Sequence, residues 1–362
     1  MPKPNYQIPT KLTFYPSHLQ YYYAIGLLKS VYLKQGDDAL VSTPEQARQE
    51  DLFKLATLDP SNYTTFEGGI NSRIVFDFGS PGDHLKMLDF GMILGHNFGK
   101  QEASWRPYAF NNNEPLTFIN NMGIVNQHSD MYTYCQYNGF SVFSLSVGAG
   151  YSSQIGIEQT DLQWSANAQD TRIGSIVFGK KWEAPHNVDI SNSIKFNYGA
   201  KQIKTKAGKT ISKMRYYKPN TWVGGLDAWQ LTNADEIDDQ LPIDSLTGRN
   251  GIREWKVKLS FLADSKVLPQ NMMPNSYGWK QDSDQEYEMH PNQIDSLYTS
   301  NDGIDFYTSV LKVTMGSHLP IVIKISESNN PDQWAIVRIK RYNIRQRNPK
   351  FLDVSLTLEE QV

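Results

Sequence analysis

Cysteine is nearly absent from this sequence, and a strong net charge and long apolar runs are absent too. The single cysteine, Cys135, excludes an intrachain disulfide and favours assembly in a reducing cytoplasm. The 35 basic and 38 acidic residues leave a net charge of -3, so no global field draws the chain to nucleic acid or to an anionic membrane. No stretch approaches the roughly 20 apolar residues of a membrane helix, and the start MPKPNYQIPTKLTFYP lacks the apolar core of a signal peptide. These absences predict a soluble protein that does not bind membranes.

Catalytic signatures are also missing. The chain has no GxSxG motif, no P-loop and no dinucleotide fingerprint, and its seven histidines show no HxH or HExxH spacing. The acidic residues at 235–239 lie in a turn-rich stretch, which cannot fix two carboxylates at the roughly 5–10 Å that glycoside hydrolysis needs. His96, at the end of an apolar run, could line a ligand loop, but a structural role in a buried hydrogen bond is favoured. We therefore predict no catalytic residue, no cofactor and no metal site.

Aromatic residues are abundant, at 12% of the chain, while clear long amphipathic helices are scarce. This balance favours a mainly β fold with contact surfaces. The length is sufficient for two domains, each with its own core.

The stretch from Ser72 to Phe98 organises the first half of the chain. Its first part alternates Ile74, Phe76 and Phe78 with more polar positions, which predicts a strand. A Ser-Pro-Gly-Asp turn follows, and the residues from Leu88 to Leu94 then predict a mostly buried second strand. Around this pair the pattern predicts a Pro-rich extended arm over 1–20, a helix or a strand over 21–34, a short helix over 42–51, a loop-like segment over 99–138, and strands over 140–147, 163–165 and 172–185.

The second half reads as a run of strands. A hairpin is predicted over 201–215 with Ala207 and Gly208 at its tip and one strongly basic face, and an acidic, turn-like segment covers 225–250. Further on, the pattern predicts a half-buried strand over 255–261, a polar loop over 264–300, a short helix over 304–313 begun by Asn301 and Asp302, and final strands over 320–326, 334–341 and 351–359.

Two parts of this layout resemble known modules. A strand ending in Asp-Phe-Gly, a polar link, an apolar strand ending in Leu-Gly-His-Asn, and the later run RIGSIVFGKKWEAP resemble the galactose-binding-like (discoidin-type) jelly roll of phage virion proteins. The hairpin, strands and short helix after residue 190 resemble the tube-like β-sandwich of phage distal tail and baseplate proteins. The resemblance implies an N-terminal arm and connecting segment over 1–44, a jelly-roll sandwich over 45–190, and a tail-tube-like β domain over 191–362. This is the reverse of the usual domain order in distal tail proteins.

The function that this resemblance implies is structural. It is that of a non-enzymatic virion protein in a distal-tail or baseplate ring, or of a tail-fibre attachment protein, assembled in the host cytoplasm. Its partners would be other tail proteins and copies of itself, in a sixfold or threefold ring. The alternative is a carbohydrate-binding adhesin of the virion that recognises a host-surface glycan.

Two sets of residues are candidate contact sites. The aromatic set could stack on glycan or contact a partner protein, and the protein interface is favoured; it comprises Trp105, Tyr108, Tyr132 and Tyr134. The basic set belongs to a stretch from Ile194 to Lys218 that holds eight basic residues and no acid; the docking residues proposed within it are Lys204, Lys206, Lys209 and Lys213. They could dock on an acidic surface of a neighbouring copy, such as its 235–239 segment, or they could simply keep a solvated hairpin from edge pairing. Contact with nucleic acid is the weaker alternative.

Overall fold

The computed structural model describes residues 8–34, 52–60, 62–66, 73–82, 85, 88–96, 152–160, 171–213, 251–269, 305–327 and 333–361, together with six short strands between residues 104 and 144. Within these residues the fold is mainly β and all strand pairs are antiparallel, which confirms the predicted fold class at that level. The predicted helix over 42–51, the strand over 163–165 and the acidic segment over 225–250 lie outside the described residues.

The strands, in chain order, are β1 Thr13–Tyr15, β2 Ser30–Lys34, β3 Thr64–Phe66, β4 Arg73–Gly82, β5 Phe90–His96, β6 Ser104–Asn111, β7 Glu114–Leu116, β8 Met122–Val125, β9 Gln127–His128, β10 Thr133–Cys135, β11 Gly139–Ser144, β12 Ser152–Thr160, β13 Thr171–Ile173, β14 Ser175–Gly179, β15 Trp182–Glu183, β16 Ser193–Asn197, β17 Lys201–Lys204, β18 Thr210–Lys213, β19 Ile252–Ala263, β20 Ile321–Lys324, β21 Trp334–Asn348 and β22 Phe351–Glu360. The helical elements are α1 His18–Ala24, a 3-10 turn Phe53–Ala56, α2 Asp264–Val267 and a π-helix Tyr307–Lys312.

Three sheets form stacked layers. The outer sheet has the order β2-β4-β12-β6-β10-β9, with β7 added beside β6, and the middle sheet has the order β14-β5-β11-β8. The terminal sheet, so named because both ends of the chain contribute to it, has the order β15-β1-β20-β21-β22-β19-β16. One apolar core separates the outer and middle sheets, and a second separates the middle and terminal sheets. A third core lies on the far face of the terminal sheet, against the π-helix.

Strand β5 occupies the centre of this stack, and all seven of its residues are buried. Phe90, Met92 and Leu94 face the terminal sheet, where the Tyr15 ring lies 5.0 Å from that of Phe90, while Ile93 belongs to the core shared with the outer sheet. Burial on both faces explains why the sequence shows a nearly continuous apolar run here rather than a clean alternation.

The predicted strand pair over 72–98 is present, but its two strands belong to different sheets. Ser80, Pro81 and Gly82, predicted as a turn, are the last residues of β4, and the link to β5 carries the chain from the outer to the middle sheet. The alternation of apolar residues identifies strands, but it does not reveal which strands pair.

The outer and middle sheets are inserted between two neighbouring strands of the terminal sheet. The chain leaves that sheet after β1 and returns at β15, which pairs with β1 through Phe14 and Trp182. The two crossings are in close contact, because a Cβ atom on Gly179 would clash with the carbonyl oxygen of Pro16. Strands from the predicted arm and from the predicted jelly-roll region therefore both contribute to the terminal sheet.

Four local predictions need correction or refinement. The segment over 99–138 is not loop-like, since its described residues include β6 to β10. The stretch over 172–185 is not one strand, since it spans β13, which pairs with β3 in a separate two-stranded sheet, β14 of the middle sheet and β15 of the terminal sheet. Residues 21–34 were predicted as either a helix or a strand, and they contain both, because the end of α1 is followed by β2. The predicted helix near 304–313 is a π-helix over Tyr307–Lys312, and Asp305 just before it accepts a hydrogen bond from the Thr308 amide at 2.7 Å, while the predicted start at Asn301 and Asp302 lies outside the described residues.

Candidate interaction surface

The hairpin formed by β17 and β18 is the most isolated element among the described residues. Among the strands that the structure describes, β17 and β18 pair only with each other, from Lys201 opposite Lys213 to Lys204 opposite Thr210, which confirms the predicted hairpin. All eight strand residues are exposed. The five-residue loop from Thr205 to Lys209 is closed by a hydrogen bond from the Thr205 amide to the Lys209 carbonyl oxygen at 2.8 Å, and Gly208 adopts the left-handed conformation with φ +81°.

The register of the hairpin places unfavourable groups opposite one another. Ile203 and Ile211 are cross-strand partners, and they are 68% and 54% exposed. Lys201 and Lys213 are also directly opposite, and like charges in that position destabilise a sheet. A two-stranded hairpin is marginally stable on its own in water, so this arrangement favours a partner that covers the isoleucines and supplies negative charge.

The predicted docking lysines are not confined to one face of the hairpin. Lys213 shares a face with the isoleucine pair, whereas Lys204 lies on the opposite face, and Lys206 and Lys209 lie in the loop. The face that holds Ile203 and Ile211 also carries Lys201 and Lys213, and the remaining lysines extend the basic character to the opposite face and the tip. None of these four lysines forms an ion pair with another described residue.

A second polar surface covers half of the terminal sheet. Near β1 and β20 the sheet packs on the middle sheet, but the same face of β16, β19, β22 and the end of β21 carries charged and hydroxyl side chains. Lys340 bridges Glu254 at 3.0 Å and Glu359 at 3.1 Å, and these hydrogen bonds raise the pKa of Lys340. The acidic groups on this surface are thus held by neighbouring cations.

Strand β21 also has a long open edge on this surface. One side of β21 pairs with β22 along its length, but on the other side β20 reaches only residues 334–337. Within the described part of the chain, the edge from Arg338 to Asn348 has no pairing strand. Arg341 and Arg345 are exposed and lie at period-two spacing with Asn343, opposite Thr357 and Asp353 of β22.

An exposed aromatic side chain marks the far end of the same surface. Phe261 is 56% exposed and holds φ +61°, an uncommon conformation for a bulky residue. Its amide donates to Asp353 Oδ1 at 3.1 Å, and the Arg347 guanidinium lies 4.2 Å from its ring centre. Arg347 also bonds Asp353 at 2.9 Å. Burial alone would raise the pKa of Asp353, but these hydrogen bonds hold it below its usual range.

Three of the four predicted aromatic contact residues lie in strands of the outer sheet. Trp105 and Tyr108 lie in β6, Tyr134 lies in β10, and Tyr132 falls outside the described residues. Thr133 is the partner of Trp105, so β6 and β10 bring Trp105 and Tyr134 to neighbouring positions in the outer sheet. Tyr108 pairs with Gly156 of β12, farther along β6.

The histidine and metal predictions can be compared with the described side chains. His96 is fully buried and its Nε2 lies 2.9 Å from Ser141 Oγ, which corresponds to the structural alternative. Among the described residues, no group of three or more histidine, cysteine, aspartate or glutamate side chains is arranged to hold a metal ion. No helix in that part of the chain has the length and apolar character to cross a membrane.

Sequence reasoning did not single out Arg341, Arg345 or Phe261. A signal for the arginines was present, because residues 333–352 contain six basic residues and no acid. Phe261 gave no comparable signal, since its conformation results from a break in the pairing of β19 with β22 between Leu259 and Leu262. No protein-family model matches this chain, and comparisons with curated proteins and with solved structures gave no match.

Proposed function

We propose that this chain is a non-enzymatic structural component of a phage tail, of the distal-tail or baseplate type, which assembles with copies of itself through the hairpin of β17 and β18. In this proposal the outer and middle sheets correspond to a jelly-roll module and the terminal sheet corresponds to a tail-tube-like domain. The copies form a ring, of sixfold or threefold symmetry, inside the virion tail.

The isolated hairpin is the observation that carries this proposal. It exposes an in-register isoleucine pair and places two lysines opposite each other, and no other described strand covers it. An acidic surface with an apolar centre on a neighbouring copy would relieve both costs. The sequence holds such acidity, because residues 225–248 carry six acids and no lysine or arginine.

The hairpin follows directly on β16, which is an edge strand of the terminal sheet as far as the structure describes it. A neighbouring copy that binds the hairpin would thus lie beside a sheet edge. Contacts of this kind, made by one surface with a different surface of the next copy, close into rings when the rotation between copies allows it.

Reversing three hairpin charges tests this proposal. The variant with Lys204→Glu, Lys206→Glu and Lys209→Glu is expected to weaken self-association at least about tenfold in sedimentation velocity, because like charges across an interface are strongly unfavourable. The wild-type association should also weaken as salt is raised. The matched control carries Lys29→Glu, Lys54→Glu and Lys266→Glu, which make the same change in net charge on other elements.

The proposal fails if the hairpin variant associates as the wild type does while its far-ultraviolet circular dichroism is unchanged. It also fails if the control variant loses association to the same extent, because net charge rather than the hairpin would then govern assembly.

A further inference from the structure

The open edge of β21 has the features of a site that accepts an added strand. From Arg338 to Asn348, eleven residues present one row of backbone amide and carbonyl groups that no other described strand pairs with. A free edge of this length is a template for another extended segment.

The side chains beside this edge define the chemistry of the segment. Arg341 and Arg345 are exposed and form no ion pair with any described residue, in contrast to Lys340 and Arg347, which are paired. Asn343, between the two arginines on the same face, offers a further hydrogen-bond donor. A strand lying along this edge with carboxylates at alternate positions would pair with both arginines across the strands.

The sequence contains one segment with this pattern. Acidic residues occupy every second position from Asp282 to Glu288, in the run Asp-Ser-Asp-Gln-Glu-Tyr-Glu. In an extended chain, alternate residues point to one face, so the four carboxylates would share a face at the same period as Arg341, Asn343 and Arg345. The surrounding residues 281–311 contain no lysine or arginine.

We propose that the open edge of β21 binds the segment Asp282–Glu288 of a second copy of this chain as an added β-strand. This inference rests on the proposed function, because it supplies a second contact between the copies of the same assembly. The chain is complementary to itself, since fourteen of its 35 basic residues lie in the two acid-free stretches 194–218 and 333–352. A contact in which the edge of one copy binds a different surface of the next copy is heterologous, and heterologous contacts can close into rings.

A peptide strand fits this edge better than a nucleic acid does. A nucleic acid backbone would use the arginines but would leave the row of amide and carbonyl groups of β21 without partners. A strand satisfies both the charges and the backbone, and its alternate side chains give the specificity.

A charge-swap experiment with two full-length variants tests the contact. One variant carries Arg341→Glu and Arg345→Glu, and the other carries Asp282→Lys, Asp284→Lys, Glu286→Lys and Glu288→Lys, so that a lysine lies opposite each changed arginine position whichever alternate residues pair with them. Each variant alone should associate at least about tenfold more weakly than the wild type, because both then place like charges across the contact. An equimolar mixture should recover association, since every contact between unlike variants is again between opposite charges.

A peptide-binding assay separates this inference from the proposed function. A fluorescein-labelled peptide of residues 280–290 should bind the wild-type chain in fluorescence anisotropy, and should lose at least about tenfold in affinity for the Arg341→Glu, Arg345→Glu variant. A Lys29→Glu, Lys54→Glu variant serves as the charge-matched control and should bind as the wild type does. If reversal of the hairpin lysines leaves association unchanged while the peptide binds in this way, the hairpin proposal fails and the edge site stands.

Three results would overturn the edge site. The first is an absence of peptide binding by a wild type whose assembly is sensitive to the hairpin reversal. The second is a mixture of the two variants that stays dissociated while the circular dichroism and unfolding midpoint of each match the wild type, which would place the acidic segment on its own chain. The third is binding of a labelled oligonucleotide, but not of the peptide, that depends on Arg341 and Arg345.

Discussion

At the residue scale, His18 is a histidine held neutral inside the protein. It lies at the start of α1, where the chain leaves the terminal sheet, and the Lys180 amide donates to its Nδ1 at 3.3 Å. Burial, reinforced by the charge of Lys180, lowers the pKa of His18 to about 4. Asp89, whose Oδ1 accepts from the Lys181 amide at 2.9 Å, shifts the other way, since burial raises its pKa to about 6.

The shift of His18 predicts acid destabilisation in a defined pH window. The unfolded histidine takes up a proton near pH 6.5 and the folded one only near pH 4, so stability falls as the pH drops between these values. Asp89 acts in the opposite direction in much of this window, so a variant is needed to isolate His18. The free energy of unfolding of His18→Gln should gain about 3 kcal/mol relative to the wild type between pH 7 and pH 4.

Urea denaturation of both proteins across this pH range measures that difference. A difference between the two free energies of unfolding that stays constant from pH 7 to pH 4 would show that His18 does not titrate below its ordinary range in the folded protein.

At the element scale, a buried ion pair joins three strands of the terminal sheet. Arg253 of β19 and Glu360 of β22 have fully buried side chains, with Arg253 Nη2 2.8 Å from Glu360 Oε1 and Arg253 Nε 3.1 Å from Oε2. The same Nη2 donates to the carbonyl oxygen of Trp334 in β21 at 3.2 Å, and the guanidinium lies 4.6 Å from the Trp255 ring centre. The pair therefore fixes the ends of β19, β21 and β22 against one another.

Removing one partner of this pair should be costly. Glu360→Gln removes the carboxylate that pairs with the buried Arg253 charge and is expected to lower the free energy of unfolding by about 3–5 kcal/mol in urea denaturation. The double variant Arg253→Met, Glu360→Leu should recover most of that loss, because it removes both charges together. Glu327→Gln, in an exposed pair with Lys11, is the control and should leave stability unchanged. A loss for Glu360→Gln as small as that of the control would contradict this account.

The same scale shows which elements could be predicted from sequence. Strands β19 and β22 were predictable, because their apolar residues alternate and one face of each is buried. The hairpin of β17 and β18 was predictable from its turn residues. The distribution of residues 172–185 over three sheets was not predictable from the sequence. It depends on the contacts of Gly174 with Pro60 and of Gly179 with Pro16, and the residues of each pair are distant in sequence.

The candidate surface was predictable only in part, for a similar reason. A run of lysines without acids is visible along the chain, so the hairpin could be proposed before the fold was known. The open edge of β21 depends instead on the short length of β20, whose pairing with β21 extends only to Val337. No local sequence pattern encodes the length of a neighbouring strand. Its arginines become a candidate site only once that edge is seen.

At the scale of the whole molecule, the two chain-end regions build the terminal sheet, and the segment between β1 and β15 builds the outer and middle sheets. The described hairpin and the open edge of β21 belong to the part of the molecule that does not pack on the middle sheet. Both surfaces are basic, while acid-rich stretches elsewhere balance them to a net charge of -3. This separation of charge along one chain favours contacts between unlike surfaces of different copies.

The mass of the wild-type protein in solution tests this account most directly. Sedimentation equilibrium over a range of protein concentrations and salt concentrations should show species several times heavier than the 41.3 kDa chain, with a population that falls as salt is raised. A single 41.3 kDa species at every concentration and salt condition would contradict the claim that the hairpin serves assembly between copies.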